Sequence, residues 1–308
     1  MNPSEALKNL DPSSYDEQCW EWLWSEIQKS YDEAEETLPF PIAFYLHKYK
    51  NDADNDNHRL HLLRSMWEAT INLLFTLAVI EFAHLGYRLG SVDVSETKNW
   101  WKYISWDFLV SDKMNDRILT IERILQFLDD NSITSQFLWE ITELEICSEL
   151  KKLSRERNNF QHRSAIPDEE AKRLIEDKLD EPIHNLLFFL RTLSARIIHF
   201  QRTWWSLSEL KFKEYSSDGR KKGIDIDKWD FTSCPDSLIN ASFLHILWGD
   251  NLICLSPFLI FDRWKICFFK KKKNTSTYIY ETIEETPIEF EVTVTQIQPS
   301  IDHIQALI

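Results

Sequence analysis

Glycine is scarce in this chain, with five residues in 308. Gly-rich phosphate loops depend on backbone that only glycine adopts freely, so a self-contained P-loop or dinucleotide-binding fold is an unfavoured reading. The five cysteines, Cys19, Cys147, Cys234, Cys254 and Cys267, are scattered and form no Cys-x-x-Cys pair. They read as buried small hydrophobes of a reducing compartment rather than as disulfides or metal ligands. No His-Glu-x-x-His motif suggests a metalloprotease, and nothing implies a cofactor. The start, Met1-Asn2-Pro3-Ser4-Glu5, lacks a basic region followed by an apolar run, so a cytoplasmic location is expected. The most apolar stretch, Ile71 to Phe82, is interrupted by Asn72, Thr76 and Glu81. It is too short to span a bilayer and predicts a buried helix, with no membrane partner.

What is abundant is core material and negative charge. Hydrophobic residues make up 43% of the chain, including 13 Trp and 19 Phe, enough to fill real cores. The net charge of -15 argues against a nonspecific nucleic-acid coat but leaves a local site free to differ. Residues 1–57 hold 13 Asp or Glu against 4 Lys or Arg. Residues 151–163 reverse that balance: Lys151, Lys152, Arg155, Arg157 and Arg163 face one acid, Glu156. This is a cationic island on an acidic protein.

The organisation predicted is α+β. An acidic N-terminal extension covers 1–40, a helical bundle 41–205, and a small antiparallel β-rich domain 206–308. A helix is expected from Pro41 to about Tyr49, and Leu63, Trp67, Ile71, Leu74 and Ala78 recur at helical spacing to give a central helix ending near Gly86 or Gly90. Residues 99–110 are ambiguous. Helical patterns follow through Ile121, Ile124, Leu125 and Leu128, and then through Phe137, Ile141, Leu144 and Leu150. After Pro167, a long helix is expected through Leu174, Leu179, Ile183, Leu186, Leu190, Leu193 and Ile197, carrying His184 and His199. Strands are expected at Phe243–Leu247, Leu252–Leu255, Lys265–Phe269, Thr277–Tyr280 and Ile288–Ile297, with Asp262-Arg263 and Lys270–Asn274 as hairpin connections.

One short stretch concentrates chemistry: Arg157-Asn158-Asn159-Phe160-Gln161-His162. It sits just before a helix break. Residues 158 and 162 share a helical face, whereas 157 and 162 are about 140° apart around the axis and meet only if the last turn unwinds or a second copy supplies a partner. His162 titrates near working pH and suits proton transfer to or from a ribose 2′-hydroxyl or its leaving oxygen. Arg157 presents a planar fork to phosphoryl oxygens, and Asn158 would orient one or the other. The alternative is structural, with Arg157 paired to Glu156 or Glu169 and His162 capping a helix end. His58 and His61 read as surface polar residues, because no third ligand accompanies them. Lys270, Lys271, Lys272 and Lys273, beside Phe268, Phe269 and Tyr278, form a second basic run. It reads either as a solvated hairpin or as a grip on single-stranded nucleic acid.

Arg157-Asn158 followed by His162, late in a helical domain and before another long amphipathic helix, resembles the Arg-x4-6-His motif of the HEPN superfamily. The resemblance covers about residues 40–205. It implies a metal-independent endoribonuclease acting as a homodimer, with Arg157, Asn158 and His162 from two subunits lining one cleft. Antiphage defence effectors and toxins of this kind cut RNA. Lys151, Lys152, Arg155, Arg163 and Lys270–Lys273 would then be candidate RNA contacts. Some members of the superfamily serve only as dimerisation or partner-binding modules, which is the alternative reading, and a regulatory protein partner fits either one. The length of residues 1–57 and the tryptophan-rich segment near 99–110 depart from a minimal domain of that family.

Overall fold

The computed structural model describes residues 38–95, 102–135, 145–161, 166–190, 196–201, 211–215, 221–225, 238, 243–248 and 251–308. Within these, an N-terminal helical region is followed by antiparallel sheet, an α+β architecture. The helices are α1 (Phe40–Asn51), α2 (Asp56–His84), the short α3 (Trp106–Leu109), α4 (Met114–Asp130), α5 (Glu145–Gln161), α6 (Asp168–Leu174) and α7 (Asp180–Leu190). A π-helical turn, Ile175–Leu179, joins α6 to α7 without a break. The starts predicted near Pro41 and after Pro167 are observed, the first one residue earlier at Phe40, since proline is tolerated where a helix has no N–H bond to lose.

Helix α2 is the axis of the helical region and packs against α1, α4, α5 and α6. It is long and apolar enough to cross a membrane by composition, yet 89% of its most apolar window is buried inside the protein. A helix apolar nearly all round needs neighbours on every side. Asn55 caps its start, accepting from the His58 backbone N–H at 2.8 Å. Beyond the first turn and before His84, only His61, Arg64, Ser65, Glu68 and Asn72 are not buried. These positions recur every three to four residues and form one polar stripe.

Two antiparallel sheets follow. The first contains β1 (Arg196–Gln201), β2 (Lys211–Tyr215), β3 (Lys221–Asp225), β4 (Leu244–Trp248) and β5 (Asn251–Cys254), in the order β3-β2-β1-β4-β5. The second contains β6 (Leu259–Asp262), β7 (Lys265–Asn274), β8 (Thr277–Thr282) and β9 (Glu289–Thr293), in sequence order. An isolated bridge between Phe243 and Ile260 stitches the two together. Cys147, Cys254 and Cys267 are buried and form no disulfide with one another; Cys19 and Cys234 lie outside the described residues.

Three expectations are corrected. Ile197 and His199 belong to strand β1, not to the long helix. The run Arg-Ile-Ile-His-Phe-Gln fits a strand as well as a helical period, and pairing of Ile198 with Glu214 on one side and His245 on the other decides it. The alternation from Ile288 ends as strand at Thr293, where helix α8 (Val294–Gln305) begins with a Thr293/Gln296 capping box. From there the buried residues are Ile297, Ser300, Ile301 and Ile304, a helical spacing. Lys270–Asn274 is strand rather than turn. Its chain doubles back between Asn274 and Thr277, and β7 carries irregularities between Phe269 and Lys271 and between Lys272 and Asn274.

The second sheet locks onto the helices through one buried cation. Arg117 on α4 donates from Nη1 to Asn72 Oδ1, and from Nη2 to the carbonyls of Phe269 at 3.1 Å and Lys270 at 2.9 Å. Those carbonyls flank the first β7 irregularity, which turns them toward the guanidinium. The rings of Phe75 and Phe269 each lie 5.7 Å from its centre. Burial pushes this guanidinium down to about 10, against the upward pull of Asp112, Glu68 and Glu281. At the C-terminal end, Leu89 N–H donates to Leu307 O at 2.8 Å. The chain passes so near Gly90 that a Cβ there would stand 2.2 Å from Ile308 O. Only glycine fits.

Candidate functional site

The polar stripe of α2 is where α5 crosses. Arg157, in the C-terminal half of α5, reaches Glu68 from a position 89 residues further along the chain. Its Nε and Nη2 lie 3.0 and 2.9 Å from Glu68 Oε1. The same oxygen accepts from Arg64 Nε at 3.0 Å, an i, i+4 pair on α2. One carboxylate oxygen therefore meets two guanidinium groups. The Arg157 guanidinium also lies 5.8 Å from the centroid of Trp67, a buried ring that forms the wall beside it. Side-chain exposure is 29% for Arg64 and 20% for both Glu68 and Arg157, so the cluster is partly open to solvent.

The surroundings are polar on both sides along α2. Towards its N-terminus, His61 is exposed, and its imidazole is held below the usual range by burial first, then by Arg64 and His58. Below it, the Asn57 side chain donates to Ile166 O at 2.6 Å and its backbone N–H donates to Asp168 at 2.9 Å. Along α2, Glu68 meets Arg157 of α5, and nearer its start Asn57 meets Ile166 and Asp168. In the other direction, Asn72 receives Arg117. The Tyr45 phenol is raised by burial, then by Glu281 and Glu68.

The remaining predicted residues fall as follows. Asn158 lies in the last turn of α5 with its side chain outside the described part; His162 and Arg163 lie outside the described residues altogether. Lys151 is 2.5 Å from Glu122 on α4, and Lys152 is 2.6 Å from Glu149. Arg155 is exposed. Glu156, suggested as a partner for Arg157, instead lies 3.7 Å from Lys178. In the second basic run, Lys270 pairs with Glu281 and Glu289, Lys272 with Asp107 and Lys273 with Glu291, while Lys271 is exposed. Most of that run is neutralised by acids on neighbouring elements. His58 Nε2 lies 3.3 Å from Glu285, and His184 Nδ1–H donates to Asp180 O at 2.8 Å within its own helix. Among the described residues, no three His, Cys, Asp or Glu side chains come together as for a metal ion.

Arg64, Glu68, Asn72 and Arg117 were not singled out from the sequence. The signal for the first three was present: polar residues at helical spacing in an otherwise apolar helix. Nothing local marks Arg117, whose acceptors lie on α2 and β7.

No family model, no curated protein and no solved structure matches this chain.

Proposed function

We propose that the chain is a HEPN-like, metal-independent endoribonuclease effector of defence or toxin type. In this reading Arg157 neutralises phosphoryl oxygen charge, His162 transfers the proton and Asn158 orients one of them, in a homodimer. The observation that carries it is the Arg157 guanidinium. It is a partly exposed cation 5.8 Å from the Trp67 ring and held by Glu68 in the C-terminal half of α5, five residues before His162 in the sequence. A pre-positioned fork of this kind stabilises developing phosphoryl charge without reorganising during reaction. The 2′-hydroxyl would lose its proton, attack the adjacent phosphorus and expel the 5′-oxygen, which takes up a proton. The products are a 2′,3′-cyclic phosphate and a 5′-hydroxyl.

A second reading is favoured by the ion pair itself. Arg157 bound to Glu68 ties α5 to α2, as expected of an inactive helical module that dimerises or holds a protein partner. Incubating the full chain with a mixed RNA pool in excess EDTA, beside Arg157→Ala and His162→Ala, separates the two. Cleavage that survives chelation, leaves cyclic phosphate ends and disappears in both variants supports the enzyme. Folded wild-type protein that leaves all RNA intact supports the module.

A further inference from the structure

Arg64 and Arg157 bring two guanidinium groups to one carboxylate oxygen, at 3.0, 3.0 and 2.9 Å. Two cations against one anion leave a net positive charge at a partly open surface. Each guanidinium carries five N–H donors, and neither spends more than two of them on Glu68. Carboxylate and phosphodiester share the feature that matters here: a pair of oxygens bearing negative charge, matched in spacing to a guanidinium fork. The neighbouring acid Glu281 is engaged by Lys270, which also meets Glu289, so it does not cancel the excess.

We propose that Arg64 and Arg157 form a phosphodiester-binding site in which the Glu68 carboxylate is the resident competitor. Arg64 then becomes a substrate-positioning residue. Glu68 holds both forks turned toward one point, at the cost of occupying that point, and a phosphate that displaces it finds the donors already arranged. The inference rests on the reading of Arg157 as a phosphate contact.

The test measures binding rather than cleavage. A labelled 2′-O-methyl oligoribonucleotide, which lacks the attacking hydroxyl, is titrated against the full chain by fluorescence anisotropy; inorganic phosphate is titrated separately by calorimetry. Glu68→Gln removes the competing charge and keeps the shape, so affinity is expected to rise roughly three- to fivefold, the range of a partly exposed charge pair. Tightening of the oligonucleotide assigns the site to RNA backbone, and tightening of inorganic phosphate alone assigns the same chemistry to a free anion. A folded Glu68→Gln protein that binds neither more tightly overturns the proposal. Should that variant not fold, Arg64→Gln decides. It is expected to lower the slope of log affinity against log salt by about one, and an unchanged slope overturns the proposal. Tightening by Glu68→Gln in a protein that never cleaves RNA would leave this site standing and remove the nuclease reading. Cleavage without tightening would do the reverse.

Discussion

The Glu68 carboxylate accepts from both Nε and Nη2 of Arg157, at 3.0 and 2.9 Å, so the residue singled out for chemistry is also a tie between two helices. The two roles pull in different directions. A carboxylate that steadies the cation also competes for it, and removing the carboxylate should weaken the fold while strengthening anion binding.

The structural half of that statement is a coupling energy. In urea unfolding, a double-mutant cycle of Arg157→Ala and Glu68→Ala is expected to show about 1 kcal/mol of interaction, near the upper end for pairs that remain partly exposed. Arg64→Ala should lower that coupling, because Arg64 shares the same oxygen. Additive single variants would show that the tie contributes nothing to stability.

Arg117 should matter more. Its guanidinium is buried and serves carbonyls of Phe269 and Lys270 that lose their partner on truncation. Arg117→Ala is expected to destabilise by about 3 kcal/mol in urea unfolding, as buried polar groups left unpaired do. Arg117→Lys should recover less than half of the loss, because one ammonium cannot span Asn72 and both carbonyls in a single plane. Full recovery by lysine would mean that charge, not the fork, is what the site requires.

A pH dependence follows from His245. The ring is buried, its Nε2–H donates to Leu238 O at 3.0 Å, and burial lowers its pKa to about 4. The folded state therefore holds a neutral imidazole while the unfolded chain takes up a proton near pH 6.5. Stability from this group is complete above about pH 6.5 and falls as pH drops toward about 4, by about 3 kcal/mol over that window. His245→Leu should flatten the difference in denaturation midpoints between pH 7 and pH 4.5. A profile as steep in the variant as in the wild type would assign the acid sensitivity elsewhere.

Gly90 gives a prediction with its own rescue. Gly90→Ala places a methyl where Ile308 O stands, so a loss of roughly 1–3 kcal/mol is expected, as for other overpacked sites. In a chain lacking 307–308 the obstructing atom is gone, and the same substitution should cost nothing. Equal losses in both backgrounds would show that the penalty lies in the Gly90 backbone itself.

Much of this organisation was legible in the sequence. The spacing of Leu63, Trp67, Ile71, Leu74 and Ala78 marked α2, since an apolar period of this length has no other stable outcome in a helical region. Pro41 and Pro167 marked helix starts, and the basic stretch beginning at Lys151 marked the C-terminal half of α5 as chemically distinct. Where two periods fitted one run, the reading slipped. Ile197 and His199 satisfied a helix and a strand equally, and the alternation through Val294 hid a capping box that was itself readable.

The sequence by itself determined the apolar axis, the order of helices before strands, and the placing of Arg157 beside a helix break. Tertiary structure alone decided what Arg157 touches, where Arg117 goes, and that Lys270, Lys272 and Lys273 of β7 pair with acids on other elements. Hydrophobic period is a local property, carried by a few neighbouring residues. A charge finds its partner only once segments far apart in the chain are packed together, and no local pattern encodes that meeting.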